Sequence, residues 1–102
     1  MFVHTVYFWL KPDTSDEVRR GLLNDCEDLL SEVPGVQHIW SGRPAGTPRE
    51  VVDNSYDVGL CVVFFDKKGH DAYQVHAKHE QFIKKYKEHW ARVQIYDTHR
   101  GA

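Results

Sequence analysis

Apolar and polar residues in this chain alternate as strand, helix, strand, strand, helix, strand; the first strand is apolar on both sides, and the whole is 102 residues long. These three observations predict a single α+β domain over residues 1–102. The element order is that of the split β-α-β unit of ferredoxin-like folds: an antiparallel four-stranded sheet with both helices on one face. A chain of this size buries only about two thirds of its unfolded surface, so pairing with a second copy is a natural way to bury more.

The first strand is read over Phe2 to Leu10, where β-branched and aromatic residues crowd together. Lys11-Pro12-Asp13 ends it, and Thr14-Ser15-Asp16-Glu17 offers a capping box with Thr14 as the cap and Glu17 reaching back. Val18, Leu22, Cys26, Leu29 and Val33 then recur at helical spacing until Pro34-Gly35 stops the helix. Val36 to Gly42 reads as a second strand. Arg43 to Ser55 is a loop, long enough to suit a functional or mobile lid. Tyr56 to Phe65 is the third strand, apolar on both faces and therefore central, and its Gly59 signals a bulge or a close approach. A helical pattern returns from Lys67 to Glu88, with Ala72, Tyr73, His76, His79, Phe82, Ile83 and Tyr86 along one face. Trp90 to Thr98 alternates as the last strand.

In the first strand Val3, Thr5, Tyr7 and Trp9 face one way and Phe2, His4, Val6, Phe8 and Leu10 the other. Helices cover one face. A second subunit's sheet is expected to cover the other, giving a homodimeric α+β barrel.

Several function classes fall away. Thirteen Lys+Arg against 15 Asp+Glu give a net charge of -2, and the basic residues are scattered apart from Lys84, Lys85 and Lys87, so no nucleic-acid partner is expected. The longest apolar run, Val58 to Phe65, is too short to span a bilayer, and the N-terminus lacks the pattern of a signal peptide; the expectation is a cytoplasmic protein without a membrane partner. Cys26 and Cys61 form no CxxC motif and read as buried small hydrophobes.

Of seven His, His38, His70, His89 and His99 fall at surface or helix-terminal positions. His4, His76 and His79 lie on apolar stripes that meet if helix and sheet pack together. Gathering buried imidazoles beside Tyr73 is costly unless they bind something polar, since each unpaired buried group costs about 1–3 kcal/mol. Neutral imidazole can take a proton near neutral pH and a Tyr hydroxyl can polarise a carbonyl, so proton abstraction beside a carbonyl is within reach. Metal binding by His76 and His79, with His4 as a third ligand, is the competing use. The i, i+3 spacing argues against it, because a zinc helix carries His four apart with a Glu between. No metal and no cofactor are therefore expected.

His4, Pro34-Gly35-Val36, Gly42-Arg43, Tyr56, the run Ala72 to Phe82 and the closing Val93 to Asp97 resemble the stress-responsive dimeric A/B barrel family over nearly the whole chain. The most specific part is Tyr73-x-x-His76-x-x-His79-x-x-Phe82. The resemblance implies a dimeric α+β barrel. One plant member, a polyketide cyclase, closes its substrate by an aldol step without a cofactor, and its central Tyr and His correspond to Tyr73 and His79. By the same resemblance His79 and Tyr73 are the catalytic candidates, and His4, His76, Tyr56 and Phe82 the substrate-binding ones. The family commonly has Pro after the first helix His. Here Ala77 stands in that place, which is expected to permit a more continuous helix. The expected ligand is a small, partly apolar carbonyl or aromatic compound. A non-catalytic stress-response or ligand-binding protein is the alternative, and a haem or oxygen-handling protein on the same scaffold a third.

Overall fold

The structure, a computed structural model, describes residues 1–101. Strand β1 spans Phe2–Leu10, helix α1 Asp16–Asp28, β2 Val36–Gly42, β3 Val58–Phe64, α2 Lys67–Gln74, α3 Ala77–Tyr86 and β4 Trp90–His99, with 3-10 turns at Leu30–Glu32 and Lys87–His89. The sheet order is β2-β3-β1-β4, and every neighbouring pair is antiparallel. This is the predicted ferredoxin-like architecture. No helix among the described residues is long and apolar enough to cross a membrane.

β1 and β3 occupy the centre of the sheet, and both alternate strictly between buried and half-buried residues. Phe2, His4, Val6, Phe8 and Leu10 of β1, with Val58, Leu60, Val62 and Phe64 of β3, turn toward the helices. There they join Leu22 and Cys26 of α1, Leu30 of the 3-10 turn, Tyr73 of α2, and Phe82 and Tyr86 of α3. Burying one such side chain contributes about 1.5–3 kcal/mol, so this face holds the domain together. On the other face Val3, Thr5, Tyr7 and Trp9 remain only half-buried, while Trp40 and Tyr96 are 51% and 59% exposed. Gly59 sits there beneath the rings of Tyr56 and Tyr7, which a Cβ would meet at 3.2 and 3.4 Å. The expected close approach is thus made by aromatic rings.

Several sequence expectations change. The cap of α1 is Ser15, which accepts from the Val18 amide at 3.2 Å, rather than Thr14. Thr14 belongs to the turn before the helix, where its amide donates to the Lys11 carbonyl at 3.0 Å and its Oγ1 is buried without a partner. α1 ends at Asp28, and the tighter turn that follows buries Leu30 while leaving Leu29 only half-buried. Cys26 is buried as expected, but Cys61 is half-buried, because it belongs to the open face of β3.

The predicted Lys67 to Glu88 helix is two helices. Val75 leaves helical geometry, and His76 is extended at φ -71° and ψ 143°. The His76 Nδ1 accepts from the Lys78 amide at 3.0 Å, so the imidazole caps α3. The expected continuity at Ala77 is not found: Val75 and His76 leave helical geometry, and the His76 side chain satisfies an amide at the start of the new helix. α3 is held against α1 by the Tyr86 hydroxyl, which donates to Asp25 Oδ2 at 2.5 Å, and by Lys85, which donates to the same oxygen at 2.8 Å. Gly21 of α1 leaves room for that hydroxyl, which lies only 3.0 Å from where a Cβ would be.

Candidate functional site

Because β1 is central and inward-facing at even positions, His4 points under the helices, where it is 2% exposed. Tyr73, on the last turn of α2, is 1% exposed and packs edge-on to His4 with ring centroids 5.9 Å apart. The break at His76 reorients the chain so that His79, in the first turn of α3, lies over Tyr73 at a centroid distance of 4.7 Å. These three side chains, with Gln74 and Phe82, line a cavity of about 120 Å³ whose remaining wall is apolar and includes Val6, Phe8, Leu60, Trp90 and Ile95.

Phe8, Phe82 and Trp90 pack against one another at centroid distances of 5.1 to 6.4 Å and form a wall. They leave the cavity open. An apolar cavity of roughly 150 Å³ accommodates benzene, so this one, at about 120 Å³, is of the size for a short carbonyl compound and takes a compact ring with a small adjustment of its walls. It is too small for a porphyrin.

The polar groups carry distinct electrostatics. Burial holds the His79 imidazole below the usual histidine range, and the nearby His4 acts in the same direction. Its Nδ1 is buried and makes no hydrogen bond of good geometry, although the Gln74 main chain approaches and favours the charged form. The Trp90 indole nitrogen is likewise buried without a partner. Burial pushes the Tyr73 phenol well above the usual tyrosine range, so it remains a hydrogen-bond donor at neutral pH. At His4, burial lowers the pKa and outweighs the opposing hydrogen bond from Nδ1 to Asp97 Oδ1, 2.6 Å long. With the proton on Nδ1 toward the carboxylate, Nε2 of a neutral His4 carries the lone pair.

The structure therefore brings His4, Tyr73, His79 and Phe82 together and places the other two sequence candidates elsewhere. His76 is spent as the cap of α3 and does not line the cavity. Tyr56 lies on the opposite sheet face, packed on Tyr7 at 4.8 Å, where it borders a shallow hollow of about 350 Å³ with Trp9, Arg92 and Tyr96. No residue of the loop Arg43 to Ser55 lines the helix-side cavity, so the loop is no lid over it. That hollow is larger, but it lies on the sheet face expected to meet a second copy, and it lacks converging buried imidazoles.

Two residues were not singled out from the sequence. Asp97 shares the helix-facing side of β4 with Val93 and Ile95, opposite His4 in register. The predicted last strand, Trp90 to Thr98, already contains it, on the Val93 and Ile95 side of the alternation. His70, read as a surface residue at a helix start, is buried and stacks on Phe2 at 4.2 Å. Only the packing of α2 on the end of β1 puts it there.

A family model described as Stress responsive A/B Barrel Domain matches residues 2–99. No curated protein matches the chain. Among solved structures, a family protein with a ferredoxin-like fold from Mesorhizobium loti is 22% identical, with a TM-score of 0.79 over 99% of this chain and 97% of that one. A dimeric ferredoxin-like protein from Thermobifida fusca is 15% identical, with a TM-score of 0.80 over 95% and 88%. The hydroxynitrile lyase of Passiflora edulis is 13% identical, with a TM-score of 0.81 over 95% and 90%. Several of the matching structures are described as dimeric.

Proposed function

The chain belongs to the stress-responsive A/B barrel domain family, and from that premise we propose that it is a homodimer whose helix-side cavity binds a small, partly apolar carbonyl or aromatic compound and promotes proton transfer on it without a cofactor. The observation that carries this reading is the packing of His79 on Tyr73, both lining one otherwise apolar cavity, with the His79 Nδ1 buried against the Gln74 main chain.

In the proposed chemistry neutral His79 accepts the proton from the carbon next to a carbonyl. Tyr73 donates to the carbonyl oxygen as negative charge develops there, and His4 supplies a further polar contact. Phe82 packs the apolar part of the ligand. The family resemblance independently points to Tyr73 and His79, and a hydroxynitrile lyase among the structural neighbours supports lyase chemistry as compatible with the scaffold.

Cyclohexanone is a probe of suitable size. Exchange of its α-protons for deuterium, followed by NMR, should be faster with the protein than without it. His79→Ala should remove the acceleration while the protein stays folded and dimeric. Ligand-induced shifts at His79 and Tyr73 with no exchange would instead support the alternative, a non-catalytic binding protein. Neither shifts nor exchange would overturn both.

A further inference from the structure

Behind His4, away from the cavity, a second cluster of ligating groups forms where α2 crosses the ends of β1 and β4. His4, His70 and Asp97 each place one donor atom within 4.8 Å of the other two. We propose that these three residues form a binding site for one divalent transition-metal ion, with two imidazole nitrogens and one carboxylate as ligands and the remaining positions left to water.

The geometry near the site supports this assignment in three ways. The His70 Nδ1 lies 3.1 Å from the Asp71 carboxylate, while Nε2 lies 2.9 Å from the Gln74 amide nitrogen and 3.9 Å from Asp97 Oδ2. Its partners therefore put the proton on Nδ1 and the lone pair on Nε2, on the side of Asp97. A carboxylate behind a histidine in this manner fixes the tautomer of metal-binding imidazoles and raises their basicity. Second, the two imidazoles are already held: His70 stacks on Phe2 at 4.2 Å, and His4 is buried beneath it with ring centroids 5.1 Å apart. Third, Asp97 is exposed, which gives an ion a route from solvent to otherwise buried nitrogens.

Ligand atoms roughly 2.0–2.2 Å from a shared tetrahedral Zn²⁺ lie about 3.3–3.6 Å apart, so the widest pair must close by up to about 1.5 Å while the 2.6 Å contact between His4 and Asp97 opens as the carboxylate turns. Two nitrogens and one oxygen with open positions suit Zn²⁺, Fe²⁺ or Co²⁺ better than Mg²⁺ or Ca²⁺, which prefer all-oxygen sites. The Gln74 amide would give up its bond to His70. On binding, the His4 ring proton moves to Nε2.

The test is calorimetric titration of Zn²⁺ into the metal-free protein, with Co²⁺ absorption as an independent report on the ligands. One ion per chain is expected. Asp97→Asn and His70→Gln should each weaken binding at least tenfold, Asp71→Asn by about 10- to 100-fold, and His89→Gln not at all, while circular dichroism and gel filtration confirm that each variant is folded. X-ray absorption of the zinc form should show two imidazole ligands. Absence of stoichiometric binding would overturn the site, as would tight binding that survives both Asp97→Asn and His70→Gln, since the ion would then sit on other histidines. None of these readouts depends on turnover, so the outcome is separate from that of the proton-transfer reading.

Discussion

At the scale of single residues, the site is defined by imidazoles that the fold keeps uncharged. His79 and His4 are both lowered from the ordinary histidine pKa near 6.5, with burial the leading cause in each. A base with a lowered pKa in the folded state binds protons less tightly than the unfolded chain does, so stability is complete above about pH 6.5 and declines as pH falls through the window below it. Thermal unfolding of the metal-free protein should therefore give a lower Tm at pH 5 than at pH 7.5, and His79→Gln should lessen the difference. A flat Tm would contradict neutral burial. The same sign governs the proposed exchange of cyclohexanone protons: its rate should rise with pH and reach a plateau at a pH below the ordinary histidine value. His4, His79 and Tyr73 were legible as a group because each lies on an apolar stripe. His70 was not, since nothing local in a helix start reveals what packs above it; Asp97 was legible as an inward position of the last strand, but only the strand register sets it opposite His4.

At the scale of elements, hydrogen bonds at the helix ends decide which side chains reach the site. Ser15 caps α1 and Thr14 Oγ1 is buried without a partner. Ser15→Ala should cost about 1 kcal/mol, or roughly 4–8 °C in Tm for a domain this small. Thr14→Val removes an unpaired hydroxyl at nearly constant volume and should be neutral or stabilising. Equal losses for the two would restore Thr14 as the cap. The break between α2 and α3 provides a sharper check. Ala77 is the first residue of α3, and His76 before it is already extended, which is the conformation a following proline demands. Ala77→Pro should thus be tolerated or add about 0.4–1 kcal/mol, measurable by denaturant unfolding. In a continuous helix the same change would cost about 3 kcal/mol. The sequence pattern alone could not show the break, because helical spacing persists across it and the capping function of His76 looks no different from a place on the apolar stripe.

For the whole molecule, the central question is what covers the second face of the sheet. Tyr7, Trp9, Trp40, Cys61 and Tyr96 form an aromatic-rich surface that no helix of the same chain covers, and several matching structures are described as dimeric. Cys61→Arg at the middle of that face should convert a protein eluting as two chains into one eluting as a single chain in gel filtration, without loss of helix content by circular dichroism. Unchanged elution as two chains would place the contact elsewhere. By itself the sequence determined the strand and helix order, the inward face of β1 and β3, and the family motif around Tyr73 and His79, because each is written in local periodicity or spacing. Only the tertiary structure decided that His76 serves as a cap, that Tyr56 lies on the far side of the sheet, and that His70 and Asp97 gather behind His4. Those outcomes depend on where helices end and how they cross the strands, and such crossings are fixed by packing between residues distant in the chain.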